Sequence, residues 1–499
     1  MKADAKPFRL DTSLFAARGD RVALFGKTDS MTYRVLGERA QVVADALGEL
    51  GVVPGEAVGL VSSGRLFDEA VGLVGILLHG AVVVPLDASA PPARWGAIAK
   101  ARDVRVFVHD EPARTLVEQA GTHAGRVFGR VCLKGTGDLG ETSRGEKPQG
   151  KTALDPALAC ILHTSGTTGG PKPVPITWAG LDAFTGFMIE LVGLSEHDRV
   201  LRVAELVFDL SWFDHLATWR AGATLCTMER RDLALGGSKL RSVIESLAIT
   251  IIYGVPSMFM KMTEAYRKTT GKSLLVDLPP PPRAILFAGE VFPPRELAAL
   301  AAALPDSRLW NLYGPTETNV CTYHEVRRDE LDGEQETPIG LACPYAHCWL
   351  VEEGKASRVI EGAGIGELVV EGPTTMAGGP YATGDRVERK SDGLYYFRGR
   401  IDRMVKIRGY RVEPSEVEAA LEKHPAVRQA AVVVHADPRL GKVLRAFVAA
   451  NQKLDERDLR FFLAETLPAY MVPERVVLLD ELPRTVTGKM DYRMLEAQS

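Results

Sequence analysis

With 499 residues, 46% of them hydrophobic and 25% charged, the chain has the balance of a soluble globular protein. It is too long for one compact core, so roughly two to four domains or subdomains are expected. A formal net charge of −4 excludes an overall electrostatic pull toward nucleic acid or an anionic membrane, though not a local phosphate-binding patch.

The N-terminal stretch, 1–18, lacks an apolar run long enough for a secretory signal. Thr32 to Val58 reads as one helix, with Leu36, Ala40, Val43, Ala46, Leu47 and Leu50 along one side. Val58 to Val61 follows as a short buried strand, Phe67 to Leu78 as a helix and Ala81 to Leu86 as a strand. The most apolar stretch, 70–86, is broken by Gly72, Gly75, His79, Gly80 and Pro85, so it reads as a buried helix and strand rather than a membrane span. Lys134 to Lys151, rich in Gly, Ser, Thr and charge, reads as a mobile surface loop. Leu158 to His163 is an apolar strand, and Pro279 to Pro282 a rigid connector into the strand Ala284 to Ala288. This alternation predicts an α/β fold, with a large multi-subdomain N-terminal body, residues 1–401, on mostly parallel sheets. A charged run (Arg400, Asp402, Arg403, Lys406, Arg408) then offers little core, and the boundary falls there. Residues 402–499 predict a small α+β C-terminal lid, with helices Pro414 to Lys423 and Glu456 to Leu467 and strands Gln429 to His435 and Leu444 to Ala449. Six scattered cysteines, Cys132, Cys160, Cys226, Cys321, Cys343 and Cys348, include no CxxC pair and read as reduced cytoplasmic thiols.

The sharpest local signal is Thr164-Ser165-Gly166-Thr167-Thr168-Gly169-Gly170-Pro171-Lys172, directly after an apolar strand. Small hydroxyl residues and glycines let backbone N–H groups close around phosphate oxygens, and Lys172 adds a point charge. Such runs also make ordinary turns, and the spacing is not that of a P-loop, but the terminal lysine favours phosphate. Further motifs follow in order: Gly80 to Asp87 (GAVVVPLD) before the loop, then Asn311-Leu312-Tyr313-Gly314-Pro315-Thr316-Glu317, Tyr381-Ala382-Thr383-Gly384-Asp385, Gly399-Arg400-Ile401-Asp402 running on to Pro414, and Thr487-Gly488-Lys489-Met490-Asp491. Together they resemble the superfamily of acyl-CoA synthetases, luciferases and nonribosomal-peptide adenylation domains, over nearly the whole chain.

That resemblance implies an ATP- and Mg²⁺-dependent ligase that turns a carboxylic acid into an acyl-AMP. Tyr313 would lie against adenine, with Gly289, Glu290, Asn311 and Gly314 beside the nucleotide. Thr316 would bond the α-phosphate, Glu317 would offer a hard oxygen to Mg²⁺, and Asp385, with Arg400 as its companion, would bond both ribose hydroxyls. Lys489 would be the catalytic lysine, bridging the attacking carboxylate and the α-phosphate. The C-terminal module would rotate about Asp402 after pyrophosphate leaves, bringing Lys406 to Arg411 toward the adenylate and opening a pantetheine path past Gly409. Two departures stand in the loop region: Pro173 where the family usually has Gly, and Trp178 where His is common.

Val207-Phe208-Asp209-Leu210-Ser211 resembles the segment where amino-acid-activating members place a carboxylate for the substrate ammonium, although Asp209 also suits a helix N-cap. The family's pocket positions map to Asp209, Leu210, Phe213, Ser257 (or Tyr253 if the register differs), Leu286, Ala288, Leu312, Val320, Cys321 and Lys489. The set is small and apolar apart from Asp209 and Lys489. It looks like the pocket of stand-alone prolyl-AMP ligases, which load L-proline onto the phosphopantetheine thiol of a separate carrier protein in secondary-metabolite biosynthesis, with Phe213 larger than expected. A D-alanyl or other neutral or aryl amino acid ligase, and an acyl- or aryl-CoA synthetase, are the alternatives. No nucleic-acid or membrane partner is expected, and with only ten residues after Lys489 the enzyme reads as free-standing.

Overall fold

The structure, a computed structural model, describes residues 7–146, 154–166, 170–227, 237–261, 280–437, 441–452, 454–484 and 490–498. Two large mixed sheets form the body. The seven-stranded sheet runs in the order Leu139–Ser143, Gly129–Leu133, Val106–Asp110, Ala57–Val61, Val82–Leu86, Leu158–Thr164, Lys172–Thr177. Its interior strands are parallel and both edges antiparallel. The three central strands are buried at every position, the pattern of a parallel sheet covered on both faces. Pro173 and Pro175 sit on the edge strand Lys172–Thr177, where a missing N–H costs no ladder bond on the open side.

The nine-stranded sheet carries a parallel run through Arg308–Tyr313, Ala284–Ala288, Ile251–Gly254, Arg199–Leu201, Thr224–Cys226 and Val22–Phe25. One continuous hydrophobic core joins the two sheets, reaching from Leu60 and Val83 to Leu286 and Leu312. A five-stranded antiparallel sheet, Lys355–Ile360 through Tyr395–Arg400, has its own core. The C-terminal unit consists of the hairpin Val405–Ile407 and Tyr410–Val412, the sheet Val427–Asp437, Gly441–Ala450 and Arg475–Leu479, and the helices Pro414–Leu421, Glu456–Ala464 and Tyr492–Ala497. It too closes on cores of its own. The α/β class is therefore as the sequence predicts.

Two sequence expectations need correction. The first long helix spans Tyr33–Glu49, with the Thr32 hydroxyl capping Val35 N–H, and does not reach Val58. Gly51 takes a left-handed φ of +83°, and Pro54 cannot continue a helix. Within 134–151, the strand Leu139–Ser143 pairs antiparallel with Gly129–Leu133, so part of this segment is a sheet edge. Its five residues, LGETS, include a single large apolar side chain and no buried position, so no strand pattern shows in the sequence. Among the described residues no helix is long and apolar enough to cross a membrane, and all six cysteines are buried free thiols.

Candidate active site

The parallel strands of both body sheets end on one cavity of about 1400 Å³. Leu86 and Asp87, Thr164 and Ser165, Gly254 and Val255, Ala288 and Gly289, and Tyr313 and Gly314 line it at or just past strand C-termini. Ligands of open α/β sheets sit at such carboxyl ends, because the loops there diverge and leave a crevice.

One corner is a hydrogen-bonded carboxylate. Asp385 and Arg400 face each other in the antiparallel pairing of Tyr381–Arg389 with Tyr395–Arg400, so backbone register places them together. Arg400 Nη1 donates to Asp385 Oδ1 at 2.8 Å and to the Thr383 carbonyl at 2.8 Å. Its other face pairs with Asp402. The Tyr313 hydroxyl donates to Asp385 Oδ2. Burial, followed by the Asp385 charge, pushes the Tyr313 phenol far above its ordinary range, which keeps it a donor.

A second wall is apolar except for one carboxylate. Asp209 is 9% exposed, and Leu210, Tyr253, Ser257, Ala288, Leu312 and Val320 line the same cavity. Burial pushes the Asp209 carboxyl up to about 6, with the nearby Lys406 ammonium acting against it. The segment bearing Asp209 is pinned from below. Asp214 Oδ2 accepts from Val203 N at 3.1 Å and Ala204 N at 3.2 Å, and Ser211 Oγ donates to the Phe208 carbonyl at 2.6 Å. A π-helical turn, Phe213–Ala217, re-aims these side chains, as π turns near functional sites commonly do.

The third wall comes from the C-terminal unit. Glu317 is fully buried, and both its oxygens accept from Arg411 Nη1 at 2.8 Å, with Lys172 Nζ at 3.3 Å. Burial alone would raise the Glu317 carboxyl, but Arg411 and Lys172 outweigh it and hold it below its usual value. Gly409 N donates to Glu290 Oε1 at 2.8 Å, while Glu290 Oε2 accepts from Ser257 N at 2.9 Å. Tyr410 lies edge-on to Phe208 and stacked on Tyr470.

The AMP-binding enzyme family matches residues 13–378, and the AMP-binding enzyme C-terminal domain matches 416–489. The chain belongs to the AMP-binding enzyme family. Among curated relatives, it is 36% identical to the L-proline–[L-prolyl-carrier protein] ligase of Pseudomonas fluorescens, covering 96% of each chain. It is 34% identical to the enzyme of the same name from Streptomyces coelicolor, covering 98% of this chain and 95% of that one. Among solved structures, the amide bond synthetase McbA from Marinactinospora thermotolerans shares the fold, with a TM-score of 0.82, 22% identity and coverage of 98% and 99%.

In this AMP-binding enzyme the cavity gathers Thr164, Ser165, Asp209, Leu210, Tyr253, Ser257, Ala288, Gly289, Glu290, Asn311, Leu312, Tyr313, Gly314, Thr316, Val320, Asp385, Arg400, Asp402 and Gly409 from the sequence-derived set. Tyr253 and Ser257 both line it. Three pocket candidates do not line it. Leu286 lies on the same strand face as Ala288 but one step deeper in the core. Cys321 turns into the core of the five-stranded sheet. Phe213 is wholly buried edge-on behind Tyr253, ring centroids 5.5 Å apart, so its extra bulk is spent in the core. Asp209 caps no helix with its side chain, since the turn that follows is anchored through Asp214 and Ser211. Gly166, Lys172 and Glu317 sit beneath the C-terminal unit, outside the open cavity. Thr167, Thr168, Gly169 and Lys489 lie outside the described residues.

Sequence reasoning missed Glu416, Arg94 and the part played by Arg411. Glu416 is 1% exposed, bonded to Arg94 at 2.7 Å and to Gly166 N at 3.0 Å. Glu416 lies in the first turn of the helix that begins at Pro414, where an acidic residue is ordinary, so no local signal marked it. As arranged, Glu317 is paired with two cations: Arg411 bonds both its oxygens, and Lys172 adds a second positive charge.

Proposed function

We propose that this enzyme converts L-proline and ATP into prolyl-AMP and then passes the prolyl group to the phosphopantetheine thiol of a separate carrier protein. In the first step a carboxylate oxygen of proline attacks the α-phosphate and a new O–P bond forms. The bond to the β-phosphate breaks, and pyrophosphate leaves. In the second step the carrier sulfur attacks the carbonyl, its proton passes to solvent, a C–S bond forms and AMP departs with the bonding electrons.

The observation that carries this reading is Asp209, a buried carboxylate in an otherwise apolar wall beside the Tyr313–Asp385–Arg400 corner. The Lys406 ammonium lies near it in this arrangement, and a secondary ammonium in the cavity would give it a direct partner, since a buried charge is costly without one. Two relatives named as prolyl-carrier-protein ligases, matched nearly end to end, support the same choice. The Asp385–Arg400 corner suits ribose hydroxyls, and the Tyr313 ring suits adenine. Lys489 supplies the positive charge for the adenylation transition state from the lid, residues 402–499, which turns about Asp402 against the body, residues 1–401. Magnesium accompanies ATP, with Glu317 as its protein ligand only when Arg411 has withdrawn. Six buried free thiols fit a reducing cytoplasm.

The test is amino-acid-dependent pyrophosphate exchange over the neutral amino acids, D-alanine and small aryl acids. L-Proline should give the fastest exchange. Turnover of an aryl acid lacking an amine, with proline inert, would sink the reading.

A further inference from the structure

Beneath the wall that carries Asp209 lies a buried ionic group that the adenylation chemistry does not use. Glu69 is 4% exposed, on the helix Leu66–His79, whose Leu66, Ala70 and Leu73 belong to the apolar core. Arg202 Nη2 lies 2.7 Å from each of its oxygens, and His215 Nε2 stands 3.3 Å from Oε1. Burial alone would raise the Glu69 carboxyl, but Arg202, with His215 behind it, outweighs that and holds it below its usual value. Arg202 directly follows the strand Arg199–Leu201 and stands upstream of Asp209, while His215 stands downstream in the π-helical turn Phe213–Ala217. The other imidazole nitrogen, Nδ1, is 2.9 Å from the Ser211 carbonyl and carries the hydrogen there, because a carbonyl only accepts. Ser211 Oγ donates to the Phe208 carbonyl, which closes the turn around Asp209. A void of about 20 Å³ beside Glu69 and Arg202 shares Leu86 and Val207 with the large cavity, so these side chains part the pair from the substrate. Replacing a buried ion pair by apolar residues of similar volume is often neutral or stabilising, so stability gives this group little reason to be there. Orientation does, since charge-assisted hydrogen bonds fix direction as well as distance.

We propose that Glu69 is a positioning residue for the amine site, fixing Asp209 in place through Arg202 on one flank and the His215–Ser211 link on the other. This rests on the reading of Asp209 as the partner of the substrate ammonium, and deepens it. The group ties the two body sheets together at the substrate's charged end. Glu69 comes from a helix packed on the seven-stranded sheet, and Arg202 from the end of a strand in the nine-stranded one. The apolar wall limits the size of the side chain that enters, and the Glu69 group sets where the nitrogen must lie. Proline offers two N–H bonds in fixed directions, where a primary ammonium can turn three, so its partner has to be held still.

The test measures the KM for each substrate in amino-acid-dependent pyrophosphate exchange with the full chain. Glu69→Gln, nearly isosteric, should raise the KM for proline about 10-fold, the low end of what losing an outer supporting partner costs a site, with kcat and the KM for ATP held. Asp209→Asn raises that KM by itself, and adding Glu69→Gln should raise it no further, because Glu69 then has no carboxylate to position. His215→Asn puts an amide nitrogen where Nδ1 stands and can hold the Ser211 carbonyl unaided, so in that background Glu69→Gln should cost less than in the parent. If Glu69→Gln does not fold, Glu69→Gln with Arg202→Gln, which removes both charges of the pair, takes its place. An unchanged proline KM in a folded Glu69 variant, equal rises for proline and ATP, or a full further rise on top of Asp209→Asn would overturn the proposal. A parent-like KM in Asp209→Asn would sink the amine reading and this proposal with it. Inert proline in the parent sinks only the choice of proline, and the Glu69 comparison then runs on the amino acid that exchanges fastest.

Discussion

Body and C-terminal unit meet the cavity in different ways. The body walls grow from strand ends rooted in one continuous apolar core, and Asp385 and Arg400 are placed by sheet register itself. The C-terminal unit has separate cores and docks through Arg411–Glu317, Gly409–Glu290, Glu416–Gly166 and the Tyr410 ring. An apolar core cannot be opened without exposing large areas to water. Ion pairs and hydrogen bonds can be exchanged for others at small net cost when new partners wait. The difference teaches that the body's share of the cavity is held by an apolar core, and the C-terminal unit's share by polar contacts that can be exchanged.

The sharpest way to break this comparison is Lys489→Ala, which on the proposed function removes the lid's contribution to the first step. Amino-acid-dependent pyrophosphate exchange should fall by about 10²–10³ or more with an unchanged melting temperature. Exchange near the parent rate would show that the body acts alone.

Next, Asp209→Asn should raise the KM for proline by about 10²-fold, the order expected when one partner of a buried charge pair is removed, with the KM for ATP steady. The Asp209 carboxyl is raised to about 6, and only its ionised form pairs with an ammonium. Proline affinity should therefore weaken as pH falls through about 6, and the Asn variant should lack that inflection. A flat profile in the parent would remove Asp209 from the amine.

Gly409→Leu separates the two regions cleanly. Gly409 has φ +84°, and a Cβ there would lie 3.3 Å from Val255, so a branched side chain both strains the backbone and fills the path. Carrier loading should drop by about 10²-fold, the scale of a misplacement near 1 Å, while exchange stays within a few-fold. Asp402→Pro should give the same split by restricting φ at the proposed hinge, and equal loss of both activities would count against a rotating unit.

The smallest effect tests the body alone. Burial pushes the Asp214 carboxyl up to about 8, so the folded state binds a proton that the unfolded chain has released above pH 4 or so. That contribution favours folding at low pH and is lost as pH rises through about 8. Asp214→Asn cannot ionise, so its melting temperature relative to the parent should climb between about pH 4 and 8 and level off above. A pH-independent difference would show that Asp214 stays ionised.

The sequence by itself determined the class of chemistry, because its motifs are short, contiguous and bound to backbone geometry. The glycine-rich loop follows a strand that can be read from its apolar run, and Asp385, Arg400 and Glu317 stand in segments whose spacing is local. Alternation of apolar runs determined the α/β class for the same reason. Only tertiary structure decided what meets across the chain. Glu416 and Gly166 are 250 residues apart, and Arg411 and Glu317 are 94 apart, separations at which no periodicity speaks. It also decided that Phe213, Leu286 and Cys321 pack behind the cavity wall, because a side chain's depth depends on the sheet and turn beneath it. The strand pattern of Ala284–Ala288 gives Leu286 and Ala288 one face; the layer packed against that face decides which of them meets the ligand.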